Sequence, residues 1–259
     1  MKSVIIYTYI NSPSNNYNLS FFVKSELSYK NNIDYIIVIN GYEIGIDLPI
    51  LDNLTIIKRE NIGFDFGGHN SALEYIENNN KNYDFYFFLN SGVIGPIIPH
   101  YFTESHWSNI FIKKINDRVK LVGTTIVCLP QNDHGGYGPK VEGFFFVVDT
   151  IGLSLLKNQK NIFCNHINKY SAIIYGEYGL SNCILNNGYS IDCMLRKYQN
   201  IDWTDSSNYN LNNNKHPSRK NSFYNCSINP YEVIFHKWNW KDSENVNFDI
   251  IEQYVNNNT

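Results

Sequence analysis

Short apolar runs of strand length alternate with segments of helical spacing along most of the chain. Residues 4–10 are almost continuously β-branched or aromatic and predict a buried first strand, followed by a polar loop over 11–16. Residues 17–29 carry Leu19, Phe22, Val23 and Leu27 at helical spacing. Residues 35–39 predict a second strand, ending on the turn signal Asn40-Gly41. Residues 54–58 predict a third, and 71–77 lie on a helix with Ala72, Leu73 and Ile76 on one face. Residues 83–89 hold almost no polar side chain, as a central strand covered on both faces requires.

The second half continues the alternation less regularly. Asn90-Ser-Gly-Val-Ile-Gly-Pro96 cannot extend the fourth strand. A helix over 107–115, a strand over 120–128, a glycine- and proline-bearing loop over 129–140 and a strand over 143–148 follow. Helices are predicted from Thr150 and over 176–186, the latter closed by Asn187-Gly188. Residues 204–229 read as polar loop, and 231–235 as a last short strand. Strands alternating with helices at this spacing predict an α/β fold with a mostly parallel sheet flanked by helices. Neither an internal repeat nor a linker is evident, so 1–259 reads as one domain.

Composition narrows the function. With 43% hydrophobic and 15% aromatic residues the chain is a folded globular protein. Charged residues make up 17%, the net charge is -3 and the pI is near 6.2, so no basic face for nucleic acid is expected and a small-molecule ligand is. The apolar run at the amino terminus is too short for a transmembrane segment or a full signal sequence, which points to a cytoplasmic protein, or to the host cytoplasm if the source is viral. Five cysteines without a CxxC pair fit free thiols in a reducing compartment rather than a zinc site.

Candidate chemistry gathers at two strand ends. Arg59-Glu-Asn-Ile-Gly-Phe-Asp-Phe-Gly-Gly-His-Asn-Ser71 joins the third strand to a helix. Gly63, Gly67 and Gly68 would let the backbone approach a ligand or take positive φ, and Arg59, Asn61, Asp65 and His69 would surround it with donors and acceptors. A tight turn whose polar residues only cap the helix is the alternative. One strand further on, Phe88-Leu-Asn-Ser-Gly-Val-Ile-Gly-Pro96 ends a buried strand in short polar residues and a glycine-proline turn.

Asn61-x-Gly-x-Asp-x-Gly67 followed by Phe-Leu-Asn-Ser-Gly-Val-x-Gly-Pro resembles the GT-A class of nucleotide-sugar glycosyltransferases. More narrowly it resembles a branch whose fourth strand reads Phe-Leu-Asn and which carries a strand like Val119-Lys-Leu-Val-Gly-Thr-Thr125. The similarity runs from Lys2 to about Lys237. It implies a nucleotide-binding half over about 1–100 and an acceptor and catalytic half over about 101–240. Tyr9, Asn11, Asn40, Arg59, Asn61 and Asp65 would then hold base and ribose, with Gly68, Asn90 and Ser91 completing the donor site. For Asn11 and Asn40, ordinary turn residues are the alternative.

One departure bears on the cofactor. Most GT-A enzymes end the fourth strand in Asp-x-Asp, which holds Mg²⁺ or Mn²⁺ against the diphosphate, whereas this chain has Asn90-Ser91-Gly92. Either other groups hold the metal, with Asn90 and His236 as candidates, or a cation such as Arg59, Lys140, His236 or Lys237 neutralises the diphosphate, or the site is inactive. The segment Tyr175-Gly-Glu-Tyr-Gly-Leu-Ser-Asn-Cys-Ile184 resembles the acidic helix start that supplies the base in inverting enzymes, which implies Glu177 as catalytic base. A first-turn acid complementing the helix dipole is the alternative. Glu142 is the second candidate as base or acceptor-binding residue, and His134 sits in a Gly-Gly loop that could close over the substrate, with a solvated loop histidine as the favoured alternative. Trp203, Trp238 and Trp240 are candidates for stacking on a sugar or for core packing.

The expectation is a transferase that moves a sugar from a nucleotide-diphosphate donor, first a UDP sugar, to a hydroxyl of a glycan or glycoprotein. Two rivals stand beside it. One is a catalytically silent nucleotide- or glycan-binding protein of the same fold. The other is a different Rossmann-like enzyme, which the lack of G-x-G-x-x-G after the first strand disfavours.

Overall fold

Strand β1 (Ser3–Ile10) is buried at every position but its last, and its alternate side chains divide between two cores. Val4 and Ile6 face one side of the sheet, and Ile5, Tyr7 and Tyr9 the other. A computed structural model describes residues 1–27, 32–99, 101–129 and 136–240. The main sheet has seven strands in the order β3-β2-β1-β4-β8-β5-β9: β2 (Ile33–Asn40), β3 (Leu54–Arg59), β4 (Phe85–Asn90), β5 (Val119–Gly123), β8 (Phe145–Asp149) and β9 (Ser190–Cys193) besides β1. β3, β2, β1 and β4 are parallel neighbours, β8 runs antiparallel between β4 and β5, and β9 returns parallel to β5. The mostly parallel α/β sheet is therefore as expected, with β8 as the reversed strand.

Helices cover both faces. α1 (Pro13–Glu26) and α3 (Ser108–Ile112) pack Leu19, Phe22 and Phe111 on the Tyr7 side. α2 (Phe64–Asn78), α4 (Thr150–Asn158) and α6 (Gly179–Asn186) pack Ala72, Leu73, Leu153, Leu156, Leu180 and Ile184 on the Val4 side. Burial on two faces explains why β4 reads as an unbroken apolar run.

Several boundaries differ from the sequence expectation, each for a local reason. α1 starts at Pro13, not at residue 17, because Ser12 caps it, accepting from the Asn15 N–H, and Pro13 occupies the first helical position. The predicted strand 120–128 is cut in two. β5 ends at Gly123, where a Cβ would lie 2.5 Å from Val141 Cγ1, and β6 (Ile126–Cys128) pairs instead with β7 (Pro139–Val141) in a second, two-stranded sheet. The predicted last strand 231–235 is the short helix α7 (Pro230–Val233), with Asn229 accepting from the Tyr231 N–H and proline next in line. β9 was not expected. The helix expected to begin at residue 176 begins earlier: Asn168 caps α5 (Lys169–Ser171), which runs through a π-helical turn (Ala172–Tyr178) into α6.

Candidate functional site

Parallel, in-register strands bring four carboxyl ends to one rim. Ile10 pairs with Asn40, Asn40 with Arg59, and Thr8 with Asn90. In an open α/β sheet this edge is where ligands bind. Beyond it, Gly63 takes φ 78° and Phe64 φ 57°, and α2 begins. Its first turn is not an open anion cradle. A Cβ on Gly63 would lie 2.5 Å from Asn165 Cα, on Gly67 2.5 Å from Asn165 Oδ1, and on Gly68 2.6 Å from Thr8 Cγ2. The glycines expected to admit a ligand admit protein: Asn165 and His166 lie against the turn, and Gly68 lets α2 press on β1.

Arg59 is committed to holding this rim. Its Nη1 donates to Asn40 Oδ1 at 2.7 Å and to the Ile62 carbonyl at 2.8 Å, and its Nη2 donates to Asn165 Oδ1 at 2.7 Å. Burial works to lower its pKa, against nearby carboxylates that raise it. Asn61 is exposed two residues after it. Asn11 is exposed as well, but its Oδ1 accepts from the Tyr9 hydroxyl at 3.2 Å and its Nδ2 donates to Glu43 Oε2 at 3.5 Å. The Tyr9 ring is buried, and its hydroxyl also bonds Asn16 and accepts from the Gly45 N–H at 3.1 Å. Ser91 is buried too, its hydroxyl 3.5 Å from the Ile10 N–H and its carbonyl accepting from Asn18 Nδ2 at 2.9 Å. His69, expected among the polar groups of the turn, points into the core between Phe66, Phe88 and Phe146. Burial lowers its pKa to about 3, so it is a neutral core residue.

The polar centre of the rim is built on Asp65 and Asn90. Asn90 Oδ1 accepts from the Gly92 N–H at 2.9 Å, which turns its Nδ2 toward Asp65 Oδ2 at 2.7 Å. Burial raises the Asp65 pKa; the Asn90 bond and the charge of Lys237 oppose it, and Glu177 adds to it. Glu177, in the π-helical turn, is near enough for its charge to act on Asp65, and Gly143 lies against it: a Cβ there would lie 2.9 Å from Glu177 Cγ and 3.4 Å from the Phe66 ring. π turns inside α-helices are frequently found at functional sites. Because the helix starts at residue 169, Glu177 is not a first-turn acid, and the dipole explanation for it falls away. Its carboxylate bonds Lys140 Nζ at 2.8 Å, with Lys140 4% and Glu177 30% exposed.

Glu142, the second candidate base, is held differently. It is buried and accepts from Thr125 Oγ1 at 2.5 Å, His216 Nδ1 at 3.0 Å and Ser218 Oγ at 3.2 Å. Burial would raise its pKa, but His216, Thr125 and Lys140 outweigh it and pull it to about 2. A carboxylate so satisfied is a poor proton acceptor and reads as the anchor of the 216–218 segment. His134 lies outside the described residues. Of the three tryptophans, Trp203 is core, packed on Tyr198, and Trp238 is core, donating to Asn18 Oδ1 at 2.9 Å. Trp240 is at the site, with Lys237 Nζ 4.5 Å and Arg219 4.3 Å from its ring.

The donors present do not fit a divalent cation, which wants several charged oxygens. Among the described residues no three His, Cys, Asp or Glu side chains converge on a metal position. Asn90 offers Asp65 a nitrogen, Glu177 is paired with Lys140, and His236 is 0% exposed with both ring nitrogens unpartnered. Burial lowers the His236 pKa to about 4. The tentative metal roles of Asn90 and His236 therefore have no geometry behind them. What sequence reasoning missed is Asn165, His216 and Ser218, which reach the site from distant segments without any short-range signal.

A scan against protein-family models matches none, and a search of curated proteins finds no similar one. Among solved structures, the chain is similar to the mannosyltransferase PcManGT from Pyrobaculum calidifontis in complex with GDP-Man and Mn²⁺, at 10% identity and a TM-score of 0.43. The match covers 80% of this chain and 58% of that one, so this chain spans less than two thirds of that protein's length. No helix among the described residues is long and apolar enough to cross a membrane.

Proposed function

We propose that the chain is a glycosyltransferase that uses a nucleotide-diphosphate sugar, first a UDP sugar, and transfers the sugar to a hydroxyl of a glycan or glycoprotein. The observation that carries the reading is the single rim on which Asn40, Arg59, Asp65 and Asn90 meet the π-turn carboxylate Glu177. Neutral ribose and sugar hydroxyls need paired donors and acceptors, and Asp65, Asn61 and Asn11 supply them. In an inverting step the acceptor oxygen would bond to the anomeric carbon as the bond to the diphosphate breaks. The acceptor proton would pass to Glu177, and the electron pair would leave with the diphosphate. Lys140 holds the Glu177 carboxylate in place.

A second reading, a binder without turnover, is favoured by the ion pair that already occupies Glu177 and by the Asn90–Asp65 bond that fills the centre of the rim. A thermal-shift screen of nucleotide sugars followed by donor hydrolysis, each with and without Mn²⁺, separates the two. At least one uridine- or guanosine-diphosphate sugar should raise the melting temperature and be hydrolysed slowly. Stabilisation with no turnover of any donor or acceptor leaves the binder, and no stabilisation by any nucleotide sugar removes the transferase and the nucleotide binder, leaving only a glycan binder.

A further inference from the structure

A diphosphate brings about two negative charges to the rim, and the described side chains do not fit a divalent cation to meet them. Of the four cationic groups singled out in the sequence, three are already committed. Arg59 spends Nη1 and one Nη2 proton on Asn40, Ile62 and Asn165. Lys140 is 4% exposed and paired with Glu177. His236 is wholly buried and held neutral.

Lys237 remains. No carboxylate among the described residues lies within ion-pair distance of it, and its Nζ sits 5.6 Å over the Phe144 ring and 4.5 Å over the Trp240 ring. Phe144 is the residue whose carbonyl accepts from the Asn90 N–H at 3.1 Å, so the ammonium stands beside the carboxyl end of β4. Its place there is fixed by the main chain: His236 and Ile94 exchange N–H···O bonds of 2.9 and 3.0 Å, pinning the closing segment to the loop after β4. An ammonium held on aromatic faces is a partly desolvated charge, which attracts an anion more strongly than a solvated lysine does.

We infer that Lys237 neutralises the donor's diphosphate in place of a divalent cation, so that donor binding is independent of metal. This rests on the nucleotide-sugar reading above. The test is calorimetric titration of UDP and GDP, and of uridine and guanosine, into the native chain and into Lys237→Met and Lys237→Arg, in EDTA and in millimolar Mn²⁺. The methionine keeps the apolar stem over Phe144 and Trp240, and the arginine keeps the charge.

Expected is diphosphate binding by the native chain in EDTA that Mn²⁺ changes by less than about twofold. Lys237→Met should weaken it about tenfold or more, the equivalent of one good charged contact. Lys237→Arg should recover most of the affinity, and nucleoside binding should not move in any variant. Diphosphate binding that needs Mn²⁺, or that survives Lys237→Met unchanged, overturns this inference and leaves the nucleotide-sugar reading standing. Equal weakening of nucleoside and diphosphate overturns it as well, since the lysine would then be serving the fold. No binding of any nucleotide in either condition overturns the nucleotide-sugar reading itself, and this inference with it.

Discussion

Asn90 presents its amide nitrogen, not its oxygen, to Asp65, because the Gly92 N–H holds the oxygen at 2.9 Å while Nδ2 donates to the carboxylate at 2.7 Å. Two residues at the ends of different elements, 25 positions apart, thus make one polar unit at the centre of the rim. That unit explains how a carboxylate tolerates a place where burial raises its pKa. It also explains why the end of β4 offers no ligand oxygen to a cation.

Asp65 should show a stability penalty that depends on pH. A raised folded pKa favours the neutral acid, so its contribution is present below the ordinary value of 3.8 and is lost as pH rises through the folded pKa. Asp65→Asn should therefore melt higher than the native chain at neutral pH. The gap should close below pH 3.8. Melting curves across pH check it, and a lower melting temperature for the amide at pH 7 would contradict the burial argument. Asp65→Ala should abolish any stabilisation by nucleotide sugar.

Glu177→Gln should keep donor binding within about twofold and lose about 10²–10⁴-fold in transfer, the usual range for a general base. Single-turnover rates beside donor titrations make the measurement. Retained transfer would remove Glu177 as the base.

Glu142 gives the opposite pH signature. Its folded pKa is depressed from 4.5 to about 2, so the stability it contributes is present above pH 4.5 and is lost as pH falls through about 2. Glu142→Ala leaves His216, Thr125 and Ser218 without their acceptor and should cost on the order of 3 kcal/mol at pH 7. The deficit should shrink toward pH 2. Denaturant titrations at several pH values read it, and a deficit that stays constant with pH would show that the carboxylate charge is not what matters.

Gly68 is required by packing rather than by a ligand. Gly68→Ala should cost about 1–3 kcal/mol, since its Cβ would fall 2.6 Å from Thr8 Cγ2. Thr8→Ser removes that methyl and should return most of the loss in the double variant. A cycle of the two changes, read by denaturant unfolding, gives the coupling. Additive losses would mean that the close approach is not the reason for the glycine.

Much of this architecture was legible because it rests on local pattern. Each strand from β1 to β4 is a short apolar run, and each ends on a polar residue or a turn, so the rim and its residues Asn40, Arg59 and Asn90 could be placed by position alone. Where local signals were present but weighed too lightly, the errors were small. Ser12-Pro13 and Asn229-Pro230 are helix starts, and the second turned a predicted strand into α7. The break at Gly123 could not be seen, because it answers to Val141 in another sheet.

What the amino-acid order determined unaided is the set of elements, their mostly parallel arrangement and the edge at which polar side chains collect, since hydrophobic periodicity and turn chemistry act over a few residues. What the tertiary structure alone decided is what each of those side chains is free to do. Arg59 is taken up by Asn165 at a separation of 106 residues, Glu142 by His216 at 74 and Glu177 by Lys140 at 37. Partners that distant leave no trace in local spacing. Yet desolvation and hydrogen bonding between them decide which charges the fold has already satisfied and which, like Lys237, have no ion-pair partner among the described residues.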